Sequence, residues 1–356
     1  MIEEFGWSEQ LRRQFAPFAA RGLQPARVTV QQRGLFTLAA PDGELHGRIA
    51  GRLAHDAAPG ALPVAGDWVA IAARPAEGAA TIHAVLPRRT TFVRRAADTV
   101  QSAQVVAANV DVAFLVAALN GDFNPRRLER YLAAARESGA QPVALLTKAD
   151  LADDVEAALA AALAICGDAP VLAVSAQTGE GMETLAAWLA PGVTFALLGS
   201  SGTGKSTLVN ALAGRELMAT GAVREDDARG RHTTTYRELV RLPGGALVLD
   251  TPGMREFGLL DAGAGVASTF EDIEALAARC RFRDCRHGDE PGCAVRAALD
   301  AGELDPGRWR GFDKLRRENA HFDRRDDPVA RETERRRWIA INKAQRARRR
   351  SQEDWT

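Results

Sequence analysis

The 356-residue chain predicts a multidomain α/β protein: an N-terminal OB-like β-barrel, a doubly wound, mostly parallel sheet, and a C-terminal helical domain with a metal site. Three observations carry this. Short apolar segments punctuated by glycine fill residues 27–95, continuous apolar runs alternate with helical patterns over 96–270, and three cysteines cluster in 271–356. Each apolar texture matches one way of burying a sheet. A small barrel is made of short strands with frequent turns, and a parallel sheet covered on both faces has strands apolar throughout.

Composition excludes several classes first. Hydrophobic content of 46% with 26% charged residues is that of a globular chain. The longest apolar run, Ala157–Cys166, is about half of what a bilayer span requires, so no membrane is expected. The start, MIEEFGWSEQ, has two acids and no cationic region, which is not a signal peptide. With four cysteines and no disulfide-type spacing, a reducing, cytoplasmic setting is expected. Basic and acidic residues balance at 46 each, so a polyanion would have to meet a local patch.

Residues 1–26 read as a leader with one helix, N-capped by Ser8, with Leu11, Phe15 and Phe18 on one face. Five strands follow at Val28–Val30, Leu35–Leu38, Leu45–Leu53, Trp68–Ala72 and Thr81–Val85. Their number fits an OB-like or an SH3-like barrel. Beyond Arg95, strands are expected at Val112–Ala118, Val143–Leu146, Val171–Val174, Thr194–Leu198 and Leu247–Asp250. Helices are expected at Pro125–Ser138, Asp153–Ile165 and Lys205–Ala213.

Gly199-Ser200-Ser201-Gly202-Thr203-Gly204-Lys205-Ser206-Thr207 matches G-x-x-x-x-G-K-[ST] between a strand and a helix. The glycines let backbone N–H groups converge on phosphate at the positive end of the helix. Lys205 is placed for the β- and γ-phosphates and the Ser206 hydroxyl for Mg²⁺. Thr147-Lys148-Ala149-Asp150 ends another strand. Its carboxylate can accept guanine N1–H and the 2-amino group, a pair adenine lacks. Ser175-Ala176 ends the next strand and offers a backbone donor for O6. Asp250-Thr251-Pro252-Gly253 supplies an acid acting on Mg²⁺ through water and a Gly253 N–H for the γ-phosphate.

The base-recognition segments precede the phosphate loop, the reverse of an ordinary GTPase, so the order is that of a circularly permuted P-loop GTPase binding GTP and GDP. Permutation is compatible with domain termini that lie close together. The chain then leaves this domain just after Gly253 and runs straight into the C-terminal region. In Gly230-Arg231-His232-Thr233-Thr234-Thr235, either Thr233 or Thr234 is expected to close on Mg²⁺. Position 254 is Met, which cannot orient water, so His232 is the local candidate; a solvated loop residue is the alternative.

Cys280, Cys285, His287 and Cys293 form a complete Cys₃His set, the donor pattern of one structural Zn²⁺. Cys166 reads as a core residue. The segment Arg331–Arg350 has nine basic and two acidic residues around Trp338, and Trp309 and Phe312 sit on an earlier helix. Basic residues interleaved with aromatics suit RNA; a solvated helix face is the other reading.

Barrel, permuted GTPase and Cys₃His module in this order resemble the ribosome small subunit-dependent GTPase A family of bacterial ribosome-biogenesis factors. The resemblance spans about residues 27–300 and includes Gly66-Asp67-Trp68-Val69, the Asn124–Tyr131 helix start, GSSGTGKST, GRHTTT and DTPGMREFG. It implies an OB fold and GTP hydrolysis stimulated by the 30S subunit. It also implies contact with 16S rRNA, a role in late 30S maturation and release of ribosome-binding factor A. The nucleotide-binding positions carry over to Thr147–Asp150 and Gly199–Thr207, and the zinc ligands to Cys280, Cys285, His287 and Cys293. The histidine matching His232 is the family's proposed catalytic residue. Thr147 departs from the pattern, since many members have Asn there. A non-hydrolysing, GTP-dependent RNA-binding scaffold is the alternative that Met254 leaves open, and a P-loop ATPase or kinase with an incidental Thr147–Asp150 segment is a second. Monomer is the default state.

Overall fold

The computed structural model describes residues 1–32, 34–58, 60–94, 104–120, 123–218, 237–250 and 263–326. The expectations for His232, Thr233, Thr234, Gly253, Met254 and the Arg331–Arg350 segment lie outside these. Among the described residues no helix is long and apolar enough to cross a membrane.

Helix α1 (Glu9–Ala19) starts where Ser8 Oγ accepts from the Leu11 N–H, and it buries Leu11 and Phe15 against Trp68. The barrel strands are β1 (Gln24–Gln32), β2 (Leu35–Ala40), β3 (Gly43–Ile49), β4 (Trp68–Arg74) and β5 (Ala79–Val85). They pair in the order β1-β2-β3-β5-β4, and β4 returns to β1 to close the ring, with β3–β5 the one parallel pair. This closed, crossed order is that of the OB barrel and removes the SH3-like alternative. Val28, Leu38, Ile71 and Ile82 are fully buried at its centre.

The strand expected over Leu45–Leu53 is shorter than the sequence suggests. The β3–β5 ladder ends at Ile49 opposite Ile82, and helix α2 (Gly51–Asp56) takes over. Leu53 continues the apolar alternation by sequence but packs on the barrel core from this helix.

A hairpin of β6 (Thr91–Arg94) and β7 (Gln104–Ala108), unmarked in the sequence reading, leads into the second sheet. That sheet holds β8 (Val112–Ala118), β9 (Gln141–Thr147), β10 (Val171–Val174), β11 (Thr194–Leu198), β12 (Arg237–Arg241) and β13 (Leu247–Asp250). Strands β10-β9-β8-β11-β13 are parallel and buried throughout the centre, and β12 is antiparallel to β13. Helices α3 (Pro125–Ser138), α4 (Val155–Cys166), α5 (Met182–Ala186) and α6 (Lys205–Ala213) form the crossovers. Helix α3 shows local rules acting together. The Asn124 side chain caps the N–H groups of Arg126 and Arg127, Pro125 opens the first turn, and Gly139 closes the helix at φ 81°.

The two sheets are one. Strand β1 passes from β4 to β12, pairing Val30 with Glu238 and Gln31 with Arg237, so eleven strands run continuously. A register shift between Val28 and Val30 bends β1 for this change of partner. Arg27, 1% exposed, fills the corner. Its guanidinium donates to Thr194 Oγ1 (2.8 Å) and to the carbonyls of Gly66, Asn109 and Phe5, and lies over the Trp68 ring. Burial lowers its pKa to about 10, still charged at neutral pH. Gly66, at φ 92°, sits where a Cβ would overlap the Ala108 carbonyl, and Asp67 beside it is bidentate to Arg88. The Gly66–Val69 motif is thus the seam between barrel and second sheet.

Helices α7 (Gly263–Thr269), α8 (Glu271–Ala277), α9 (Ala294–Asp300) and α10 (Pro306–Asp326) follow; α7 and α10 pack on α3, and α8 packs on α7 and α9. A Cβ on Gly265 would overlap the Ala133 carbonyl, so α7 and α3 meet backbone to backbone.

Candidate nucleotide site and metal centre

Six residues, Gly199 to Gly204, turn from β11 into α6. Gly199 has no room for a side chain, because a Cβ would lie 2.7 Å from the Val116 carbonyl of β8. Gly202 and Gly204 have φ of 80° and 83°, conformations that glycine adopts without strain. Thr203 is buried and its hydroxyl donates to the Ser200 carbonyl at 2.9 Å. The Lys205 ammonium donates to the Gly199 carbonyl (2.7 Å) and to that of Ser200, drawing the loop around itself. Ser206 is half-buried in the first turn of α6 and Thr207 is exposed. The α6 N-terminus supplies the partial positive charge that favours an anion at this loop.

Across from it, β9 ends at Thr147 beside Val174 of β10, so the segments after both strands meet. Lys148 takes φ 58°, a positive-φ conformation uncommon for a lysine, and Ala149–Leu151 form a 3-10 turn. Ser175 Oγ donates to Asp150 Oδ1 at 2.5 Å while accepting from the Gln177 and Thr178 N–H groups at 3.2 Å. The two accepted bonds direct the hydroxyl hydrogen at Asp150 and hold its carboxylate. A cavity of about 300 Å³ separates Lys148, Asp150, Leu151 and Ala176 on one wall from Gly204 and Thr207 on the other. Such a space has an acceptor at one end and a helix N-terminus at the other, which suits a purine nucleotide.

The parallel β11–β13 pairing brings the end of β13 at Asp250 to the same sheet edge as the phosphate loop. Of the expected residues, Thr147, Lys148, Asp150, Ser175, Ala176, Gly204 and Thr207 line one cavity, and the rest of the Gly199–Ser206 segment belongs to the loop and helix start beside it. Two contacts were not anticipated. Thr147 Oγ1 donates to the Thr203 carbonyl at 2.7 Å, and the Tyr131 hydroxyl lies 3.3 Å from Ser200 Oγ. Neither has a sequence signature, because both join segments remote in the chain. Another signal was available: of 46 basic residues only Lys148, Lys205, Lys314 and Lys343 are lysine, so two of four fall at this site.

Cys280, Cys285, His287 and Cys293 converge with their ligand atoms within 4.8 Å of one another. His287 Nδ1 lies 3.6 Å from both Cys280 Sγ and Cys293 Sγ, which are 3.9 Å apart. Metal–sulfur bonds of about 2.3 Å in a tetrahedron give sulfur separations of about 3.8 Å, so the donor set fits a tetrahedral ion. Cys293 doubles as the N-cap of α9. Two aromatic residues of α10 lie against this region: Trp309 stands edge-on to His287 at 5.5 Å, and Phe312, 2% exposed, packs on Phe270. Phe312 is thus a core residue rather than an exposed ring for RNA, and Trp309 is half-buried against the same cluster.

A phosphate loop after one strand and an acid-bearing base loop earlier in the chain, both at the C-terminal edge of a parallel sheet, define a circularly permuted P-loop GTPase. The family model described as RsgA GTPase matches residues 85–260. A small ribosomal subunit biogenesis GTPase RsgA of Opitutus terrae is 51% identical, covering 99% of both chains. One of Streptomyces coelicolor is 45% identical over 93% of this chain and 90% of its own. Among solved structures, YjeQ from Thermotoga maritima superposes with a TM-score of 0.61 at 24% identity, covering 84% of this chain and 99% of its own. The chain belongs to the RsgA GTPase family and is a GTPase.

Proposed function

We propose that this GTPase acts in the maturation of the small ribosomal subunit, with GTP hydrolysis at the described pocket stimulated by that subunit. The observation that carries the nucleotide half is the Ser175-held Asp150 facing the phosphate loop across one cavity. The relatives' name supports the ribosomal half.

In this reading Asp150 accepts guanine N1–H and the 2-amino group, and the Ala176 N–H donates to O6. Leaving the carboxylate unpaired is what disfavours adenine. Lys205 exchanges the Gly199 and Ser200 carbonyls for phosphate oxygens, and the backbone N–H groups of Gly199–Ser206 cradle the rest. Mg²⁺, when bound, neutralises charge developing on the β- and γ-phosphates. Ser206 and Asp250 are its proposed holders, with Thr233 or Thr234. His232 orients the attacking water and the Gly253 N–H meets the γ-phosphate; these residues enter from sequence. Cys280, Cys285, His287 and Cys293 hold a structural Zn²⁺ that supports a module too small to fold on its core alone.

The proposed layout is a leader over 1–26, a barrel over 27–95, the permuted GTPase over 96–270 and the zinc module over 271–356. The partners are the 30S subunit with its 16S rRNA and, functionally, ribosome-binding factor A, in a cytoplasmic monomer. Phosphate release from GTP and from ATP, with and without purified small subunits, tests this. Slow GTP-specific turnover that rises sharply with the subunit is expected; equal turnover with and without it overturns the ribosomal half.

A further inference from the structure

We propose that Thr147 is a positioning residue that ties the base-reading loop to the phosphate loop, and that position 147 does not read guanine N7. The proposal deepens the nucleotide reading above and rests on it.

Thr147 is 4% exposed, and its hydroxyl oxygen lies 2.7 Å from the Thr203 carbonyl and 3.3 Å from that of Ala117. A hydroxyl has one hydrogen, and the shorter contact takes it. Guanine presents acceptors at N7 and O6. The lone pairs left on Thr147 are acceptors too, so they offer that edge nothing. An amide here would have two hydrogens and serve both the loop and the base; a threonine serves only the loop.

The tie continues past Thr203. Its hydroxyl bonds the Ser200 carbonyl, whose oxygen also receives Lys205. On the other side of Thr147 the chain turns through Lys148 at φ 58° and reaches Asp150, which Ser175 holds from β10. The base loop is therefore anchored at both ends, on the phosphate loop by Thr147 and on the neighbouring strand by Asp150. This sets the span between the carboxylate that reads the base and the cradle that takes the phosphates. Loss of the tie lowers affinity for every guanine nucleotide alike and leaves the choice of base to Asp150.

The full chain, T147V and T147S are compared by displacement of a fluorescent GDP with GDP, 7-deaza-GDP, IDP and ADP. T147V is expected to weaken GDP and 7-deaza-GDP together by about ten-fold, and T147S to return within about two-fold of the parent. The GDP to 7-deaza-GDP ratio and the GDP to IDP ratio are expected to stay within two-fold across all three proteins. A penalty for 7-deaza-GDP in the parent that T147V abolishes overturns the proposal, as does T147V binding GDP like the parent. Melting temperatures without nucleotide separate a folding defect from the lost tie, and the T147S arm stands if T147V fails to fold. Displacement by ADP as readily as by GDP would instead defeat the guanine reading itself.

Discussion

The nucleotide sheet meets its two neighbours in opposite ways. Toward the barrel the junction is a shared strand: β1 pairs in both sheets, and the Arg27 guanidinium donates to carbonyl and hydroxyl oxygens beside the buried Asp67–Arg88 pair. Toward the Cys₃His module the junction is ionic. Arg308 of α10 joins Glu129 (3.0 Å) and Asp272 (2.7 Å), and Arg130 of α3 joins Glu318 (2.8 Å). Arg126 bonds both Glu129 and Asp305. Hydrogen-bonded strands hold a fixed angle, whereas half-exposed ion pairs respond to salt, pH and anionic partners. Strand β1 makes the barrel and nucleotide sheet one continuous sheet, and the C-terminal module meets α3 through partly solvated ion pairs.

The largest expected effect separates the two junctions directly. Metal binding to such a donor set is worth on the order of 10 kcal/mol, so a strong chelator should unfold residues 271–326 as a unit. Hydrogen exchange would register the loss in α8 and α9, while β1, β11 and the phosphate loop stay protected. Loss of protection in β1 as well would mean that the module is integral to the core. Next comes Arg27→Leu, which removes the buried guanidinium from Thr194 and from the Asn109, Phe5 and Gly66 carbonyls, of which Gly66 keeps the Asn109 amide, and should cost about 3 kcal/mol. Thermal unfolding is expected to drop for barrel and nucleotide sheet together, in one transition.

Much of this was legible beforehand, and the rest was hidden for definite reasons. The phosphate loop, the base loop and the Cys₃His set are local in sequence, each written in a few adjacent residues whose chemistry is specific. The five barrel strands could be read by glycine spacing, but their closing order could not, since β3–β5 and β1–β4 are long-range pairings. The β1–β12 bridge was invisible for the same reason, and Arg27 looked like any barrel arginine. Leu53 misled because one apolar residue continues a period of two as well as it starts a helical turn. Trp309 and Phe312 misled because an aromatic between arginines reads alike whether it faces RNA or a metal loop.

A third substitution probes the ionic junction. Arg308→Met removes the partner of Glu129, which is 0% exposed, leaving it Arg126 alone. About 1–3 kcal/mol should be lost, discounted because Arg308 and Asp272 are partly solvated. Exchange should quicken in α10 and leave the barrel unchanged; an equal change in β1 would erase the contrast between the junctions.

The smallest effect is the pH response, whose sign follows from two acids shifted in opposite directions. Burial pushes Glu129 above 4.5 despite Arg126 and Arg308. A carboxyl raised on folding contributes stability that is present below 4.5 and is lost as pH rises through the raised value. At Asp272 burial also pushes upward, but the Arg308 hydrogen bonds and charge outweigh it and hold the group below 3.8. Its contribution is present above 3.8 and is lost as pH falls through the lowered value. Protection of α10 should therefore rise slightly on acidification toward 4.5 and fall below 3.8. Glu129→Gln should erase the first limb and Asp272→Asn the second, while the barrel, whose own buried acid is Asp67 beside Arg88, should be unchanged by either substitution. An α10 response that survives in both variants would assign the titration to other groups and remove the ionic junction's claim to pH sensitivity.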